Sequence, residues 1–368
     1  MEHKTTVTDA KIYNLNELTK VLSVKKQAQE QLLVVMRAWG IGKIVQNLKF
    51  EKVQGYTLSS LFVTLVIMRL CGKTIASATS NHFQGLCTVS KNTLYRTLLY
   101  ARIDWRMFLA KITLRFHGIL QERQVDTDDN AICAILDDTT FQKSGVRIEG
   151  VSKVFDHVTH SFIFGMKCLT LALSDGKSCY PIDFSLHCEK KDEQGLWLDF
   201  KAAEGAVQGK TECKISDKDR KAECDESKLE MAKCMLCHAI KQGITFKYVL
   251  ADSWFTCESL VHAVRELCGG AVHYIGLAKM NPKLRYQTNK SKRPQNIHEL
   301  IARYERTVSC YCRKYKCKYI QLNVKMGEES VRIFIIKYGR NTNWKVLLTT
   351  DTAMHFVRAF ELYEDAGV

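Results

Sequence analysis

The sequence predicts an α/β protein, a mixed sheet with flanking helices, preceded by an all-α N-terminal domain. Three observations lead there. Up to about residue 125 the apolar residues recur at three- and four-residue spacing, the mark of helices with one buried face. After a polar linker, QVDTDDN, strand-like and helix-like stretches alternate instead. Within that second part a strand is followed by an antiparallel pair, then helix, strand and helix, an order that produces a sheet with both parallel and antiparallel neighbours.

Within residues 1–125, LNELTKVLSVKKQAQEQLLVVMRAW reads as amphipathic helix and LSSLFVTLVIMRL as a buried one. In TVSKNTLYRTLLYARI, Ser90 is placed to cap a helix whose early turns carry Lys91, Asn92, Tyr95 and Arg96. Basic and amide side chains near a helix N-terminus suit a DNA major groove. An ordinary amphipathic helix with a solvated face is the simpler reading.

From residue 126 the first strand is AICAIL, followed by SFIFGMKCLTLALS and KSCYPIDFSLH, joined at Asp175-Gly176, a two-residue hairpin signal. A polar loop covers about 189–225. SKLEMAKCMLCHAIKQG reads as a helix stopped by Gly243. FKYVLA is a strand ending on Asp252, WFTCESLVHAVREL the helix after it, and AVHYIGLAK a further strand. NWKVLLTTD and a closing helix, TAMHFVRAFELY, complete the order.

The chain of 368 residues carries 54 Lys and Arg against 39 Asp and Glu, a net charge of +15. Such an excess points to a polyanionic partner. The longest apolar run, LFVTLVIM, falls far short of the ~20 residues of a membrane span, so a membrane is not the expected partner. Between Lys279 and Lys318 twelve Lys or Arg face two Glu. The basic residues there are expected to lack neighbouring carboxylates and to contact phosphates, with Lys283, Arg285, Lys292, Arg293, Arg313 and Lys314 as the candidates.

Fifteen cysteines without a spaced framework, behind an N-terminus with no apolar signal segment, indicate reduced thiols in the cytoplasm. Cys234-Met-Leu-Cys237-His238 fits a haem-attachment pattern and Cys310, Cys312 and Cys317 could hold zinc. Small buried hydrophobes is the preferred reading of both clusters.

The chemistry centres on the acids. AICAIL runs into Asp137 and Asp138, and FKYVLA into Asp252. In the expected sheet these two strands lie side by side, so their ends bring carboxylates together where open α/β sheets bind ligands. Facing carboxylates repel unless a hard cation such as Mg2+ sits between them. An Asp at a strand end is also a common turn residue, and one acid taken alone would be read so.

These residues resemble a known family. ILDDTTFQKSG, then DHVTH, a hairpin, DFSLH and YVLADSWF are similar in order and context to the DDE-type transposases of bacterial insertion sequences, in particular the group with a β-rich insertion between the second Asp and the final Glu. The resemblance covers about residues 130–363. It implies an RNase H-like core over 126–363 with the insertion at about 265–340, Mg2+ (or Mn2+) as cofactor, and strand cleavage and transfer on double-stranded DNA, both transposon ends and target. It allows a homodimer on DNA, and it implies a bacterial, nucleoid-associated location. Carried over residue by residue, Asp138 and Asp252 are the metal-binding catalytic acids. Because successive side chains alternate, Asp137 is the less favoured candidate and would serve the turn. The family's third acid follows a Tyr in the pattern Y-x2-R-x3-E. Tyr363 fits the Tyr, but Ala366 holds the Arg position and the Glu position falls beyond Val368. Glu361 and Glu364 are off register. On this reading residues 364–368 are a divergent or truncated tail. The alternative function is then a derivative that binds transposon ends without cutting them.

Overall fold

The computed structural model describes residues 38–46, 58–70, 72–78, 89–99, 103–122, 132–144, 150–156, 158–188, 226–291, 293–339 and 343–365, with a few isolated positions besides. The chain divides into two units, Met1–Glu122 and Arg123–Val368. The expected helix over LNELTKVLSVKKQAQEQLLVVMRAW, Lys292, Ala366 and most of the polar loop fall outside the described residues.

In the first unit every described element is a helix: α1 (Ile41–Gln46), α2 (Leu58–Leu70), α3 (Ile75–Ala78), α4 (Lys91–Leu98) and α5 (Trp105–Glu122). Ile41, Val45, Leu58, Phe62 and Ile103 form one small core, and Leu61, Met68, Val89 and Leu94 a second. Ser90 caps α4, its side chain accepting from the Thr93 N–H.

The second unit is built on one ten-stranded sheet, its main path running β2-β3-β1-β5-β6-β10-β9-β8-β7, with β4 also paired to β3. The strands are β1 (Cys133–Gln142), β2 (Ser152–Asp156), β3 (Ser161–Ser174), β4 (Cys179–His187), β5 (Tyr248–Ala251), β6 (His273–Ala278), β7 (Ser309–Cys312), β8 (Cys317–Met326), β9 (Glu329–Tyr338) and β10 (Trp344–Thr349). Only β1 with β5 and β5 with β6 are parallel. The fold is mixed α/β with a mostly antiparallel sheet, which fits the RNase H-like core that the resemblance implies. Two helices, α6 (Lys228–Lys241) and α7 (Glu258–Glu266), touch each other, with α6 on β3 and β4 and α7 on β6 and β9. The capped helix α8 (Ile297–Tyr304) precedes β7. The last helix, α9 (Phe356–Asp365), packs on β6 and β10, and its Phe356, Ala359, Phe360 and Tyr363 share a core with Cys133, Ile135, Tyr248, Leu250 and Leu347.

Several sequence expectations need correction. β1 does not end on the aspartates: β3 continues beside it, pairing Asp137 with Thr170 and Asp138 with Leu169, so the strand runs on to Gln142. The hairpin tip is Gly176-Lys177, one residue later than expected. The Asp175 N–H donates to Ser178, the Asp175 carboxylate accepts from the N–H groups of Lys177 and Ser178, and Gly176 adopts φ 82°. The helix after β5 begins at Glu258, because Asp252 ties Trp254 and Phe255 into a turn. Within 265–340, where the β-rich insertion is expected, His273–Ala278 is β6, paired to β5, and β7–β9 continue the same sheet.

Candidate functional site

The parallel register of β1 and β5 sets the geometry. Ile135 lies opposite Leu250 and Leu136 opposite Ala251; there β5 stops, and one further residue brings Asp137 on one strand and Asp252 on the other. Side chains alternate along a strand, so Asp137 shares the face of Cys133 and Ile135, and Asp252 continues that of Tyr248 and Leu250. That face packs against α9. Asp138, of opposite parity, falls on the face with Leu136, toward α6.

The contacts agree with this parity. The Asp138 carboxylate receives the Lys228 ammonium at 2.5 Å. Lys228, the first residue of α6, also lies 4.5 Å from the centroid of the Trp254 ring. The Asp137 carboxylate accepts the Asp138 N–H at 2.8 Å. Asp137 is exposed on one side, yet desolvation by the surrounding protein pushes its carboxyl up. The Asp138 N–H opposes that rise, and the charges of Asp138 and Asp252 add to it. One oxygen of Asp252 accepts from the Trp254 N–H at 2.8 Å and the Phe255 N–H at 3.3 Å. The Thr256 hydroxyl pins the base of this turn through the Asp252 carbonyl at 3.2 Å and meets the Tyr274 hydroxyl at 2.9 Å.

Tyr363 closes the site from α9. Its residue surface is 7% exposed and its hydroxyl makes no hydrogen bond of normal geometry. Burial pushes the phenol up, the charges of Asp252 and Asp137 push it further, and the nearby Leu277 backbone works against the rise. The hydroxyl lies within electrostatic reach of both carboxylates.

A hard divalent ion fits Asp137 and Asp252: both are oxygen donors, both are open to solvent, and their like charges favour a cation. Among the described residues no three His, Cys, Asp or Glu side chains converge on one point. Asp138 is turned to Lys228. Glu361 bonds Lys314, and Glu364 lies close to Tyr315 and Tyr338, on the β7–β8 side of α9.

Among the described residues the cysteines gather into no group of three His, Cys, Asp or Glu side chains that could hold a metal ion. Cys312 and Cys317 are buried as expected, whereas Cys234, Cys237 and Cys310 are exposed, a correction to the reading of both clusters as buried hydrophobes. The helical spacing of Cys234 and Cys237 puts them on the outer side of α6, away from Met231 and Met235.

The basic candidates are separated. Lys91 and Arg96 stand with Asn92 and Tyr95 on the exposed side of α4, while Leu94 and Thr97 face inward. Lys283 and Arg313 are exposed. The expectation that this stretch lacks neighbouring carboxylates is overturned for three residues. Arg285 and Arg293 flank Glu299 at 3.7 and 3.5 Å, and Lys314 bonds Glu361. Glu299 reaches both because the capping box with Asn296 holds it at the head of α8. No described helix is long and apolar enough to cross a membrane.

Sequence reasoning passed over Lys228 and Trp254. The Ser227 cap, which fixes Lys228 as the first helical residue, was the available signal for one of them. Comparison with protein families matches residues 72–299 to the DDE superfamily endonuclease model, a span that includes both strand-end acids and more than half of the chain. A search of curated proteins returned no match. With that match over β1–β6 and these acids, the chain belongs to the DDE superfamily of endonucleases.

Proposed function

We propose that this protein is a transposase of the bacterial insertion-sequence type, cutting and joining double-stranded DNA at the ends of a mobile element. The observation that carries the reading is the parallel end of β1 and β5, which sets Asp137 beside Asp252 on the face covered by α9. Asp137 is preferred to Asp138 because Asp138 already has an ammonium partner. Bound between Asp137 and Asp252, Mg2+ or Mn2+ would supply electrostatic stabilisation for charge that develops on a phosphate during transfer.

The chain's own residues do the rest. Asp252 is held by its turn, with one oxygen taken by backbone N–H groups and the other left open. Asp137 is oriented by the Asp138 N–H. Tyr363 walls the site on the α9 side. Exposed Lys91, Arg96, Lys283 and Arg313 supply phosphate contacts, which give affinity without sequence information. A homodimer on DNA is the assembly proposed with this activity.

The test is nicking and strand transfer by the full chain on DNA carrying element ends, with Mg2+ or Mn2+. The proposal expects cutting that Asp137→Asn or Asp252→Asn abolishes. Tight DNA binding with no cutting under either ion would favour the alternative, a protein that occupies element ends without processing them.

A further inference from the structure

Lys228 ties the separate parts of the site together. Its ammonium meets Asp138 at 2.5 Å and lies over the Trp254 ring at 4.5 Å. The Trp254 N–H holds Asp252, and the Asp138 N–H holds Asp137. One side chain therefore connects Asp137, Asp138 and Asp252. It is not a loose surface lysine: its side chain is 16% exposed and that of Asp138 25%, so the pair is screened less than an ordinary surface pair. Lys228 also stands close enough to the buried His187 to help hold that imidazole below its ordinary range, after burial itself.

The charge count gives the arrangement a purpose. Asp137, Asp138 and Asp252 bring three negative charges and Lys228 one positive, leaving two, the charge of a single divalent cation. Without Lys228 the same acids would present three negative charges, with Asp138 released to donate oxygen. We propose that Lys228 is the internal counter-ion of this centre, a positioning residue that holds Asp138 out of the cation seat and limits that seat to one divalent ion. The inference rests on the assignment of Asp137 and Asp252 as that seat.

The experiment is titration of the full chain with Mn2+ alone, following free Mn2+ by electron paramagnetic resonance and heat by calorimetry. Wild type, Lys228→Met, Lys228→Arg and the double variant Lys228→Met with Asp138→Asn are compared. Lys228→Met should bind Mn2+ about fivefold more tightly, or take up a second ion, as expected for one unit charge removed from near a divalent ion in partly screened surroundings. Lys228→Arg should match wild type, and the double variant should lose the gain. A gain that Asp138→Asn removes is specific to the site, because misfolding would not be reversed by that second change. Unchanged or weaker binding by Lys228→Met would overturn the counter-ion role, as would a gain that survives Asp138→Asn. If neither wild type nor Lys228→Met bound Mn2+, the cation seat itself would fall as well.

Discussion

Leu136 and Ala251 are the last register partners of the parallel pair β1 and β5. Everything chemical in the site follows from that stop. Beyond it β1 keeps β3 on one side but loses β5 on the other, so the next residue of each strand, Asp137 and Asp252, faces an open end between covered layers. Acids placed one residue earlier would be buried where Leu136 and Ala251 have no exposed surface, and unpaired charge is not tolerated there.

Tyr363 supplies the first prediction. Its hydroxyl is buried without a hydrogen-bond partner of normal geometry. Tyr363→Phe should stabilise the cation-free protein by up to about 1 kcal/mol, a rise in Tm of roughly 2–4 °C. Thermal unfolding in the presence of a chelator measures it, and a fall in Tm would mean the hydroxyl is satisfied.

Gly276 is required by the turn that carries Asp252. A Cβ there would lie 2.6 Å from the Tyr274 hydroxyl and 2.8 Å from that of Thr256, the side chain that holds the Asp252 carbonyl. Gly276→Ala should cost about 1–3 kcal/mol in urea unfolding. Stability unchanged from wild type would show that the Thr256–Tyr274 contact is dispensable.

Glu299 neutralises two arginines at once. Glu299→Gln should free Arg285 and Arg293, strengthen DNA binding and steepen its salt dependence, by up to about 0.9 in the log–log slope for each new phosphate contact. Arg313→Ala should do the reverse by about one such step. Binding to end-containing and random DNA across a salt series checks both, and an unaltered slope in Glu299→Gln would remove these arginines from the interface.

His262 bridges α7 and the start of β9. Its Nδ1 lies 2.7 Å from Glu329, and its Nε2 3.6 Å from Glu266. The hydrogen bond to Glu329 raises the imidazole above its ordinary 6.5, against an opposing desolvation, with the charges of Glu266, Glu329 and Glu328 adding to the rise. A raised histidine stabilises fully below its unfolded pKa and loses that contribution as pH climbs through the folded value. The stability difference between wild type and His262→Gln should therefore be largest below about pH 6.5 and shrink as pH rises beyond it. A difference constant from pH 5 to 9 would contradict the ion pair.

The sheet was legible because its order was written in hydrophobic runs broken by turn residues. The order of elements alone makes AICAIL and FKYVLA neighbours, and they are parallel partners. Ser90 and Ser227 announced their helices. What could not be read was pairing at a distance. Nothing local to ILDDTT says that β3 carries the strand past the aspartates, and nothing in RYQTNKSKRPQNIHEL says that Glu299 folds back on Arg285 and Arg293. Which of Asp137 and Asp138 faces the last helix is not legible locally: the core shared by Ile135, Leu250 and Tyr363 defines that face, and strand parity puts Asp137 on it.

The central claim is that Asp137 and Asp252, not Asp138, form the cation seat, and Mn2+ titration of three single variants tests it most directly. Asp137→Asn and Asp252→Asn should each abolish measurable binding, while Asp138→Asn should keep it, weakened about fivefold because Lys228 then lacks its carboxylate partner. Loss of binding in Asp138→Asn with retention in Asp137→Asn would contradict the account and return the seat to the opposite face of β1.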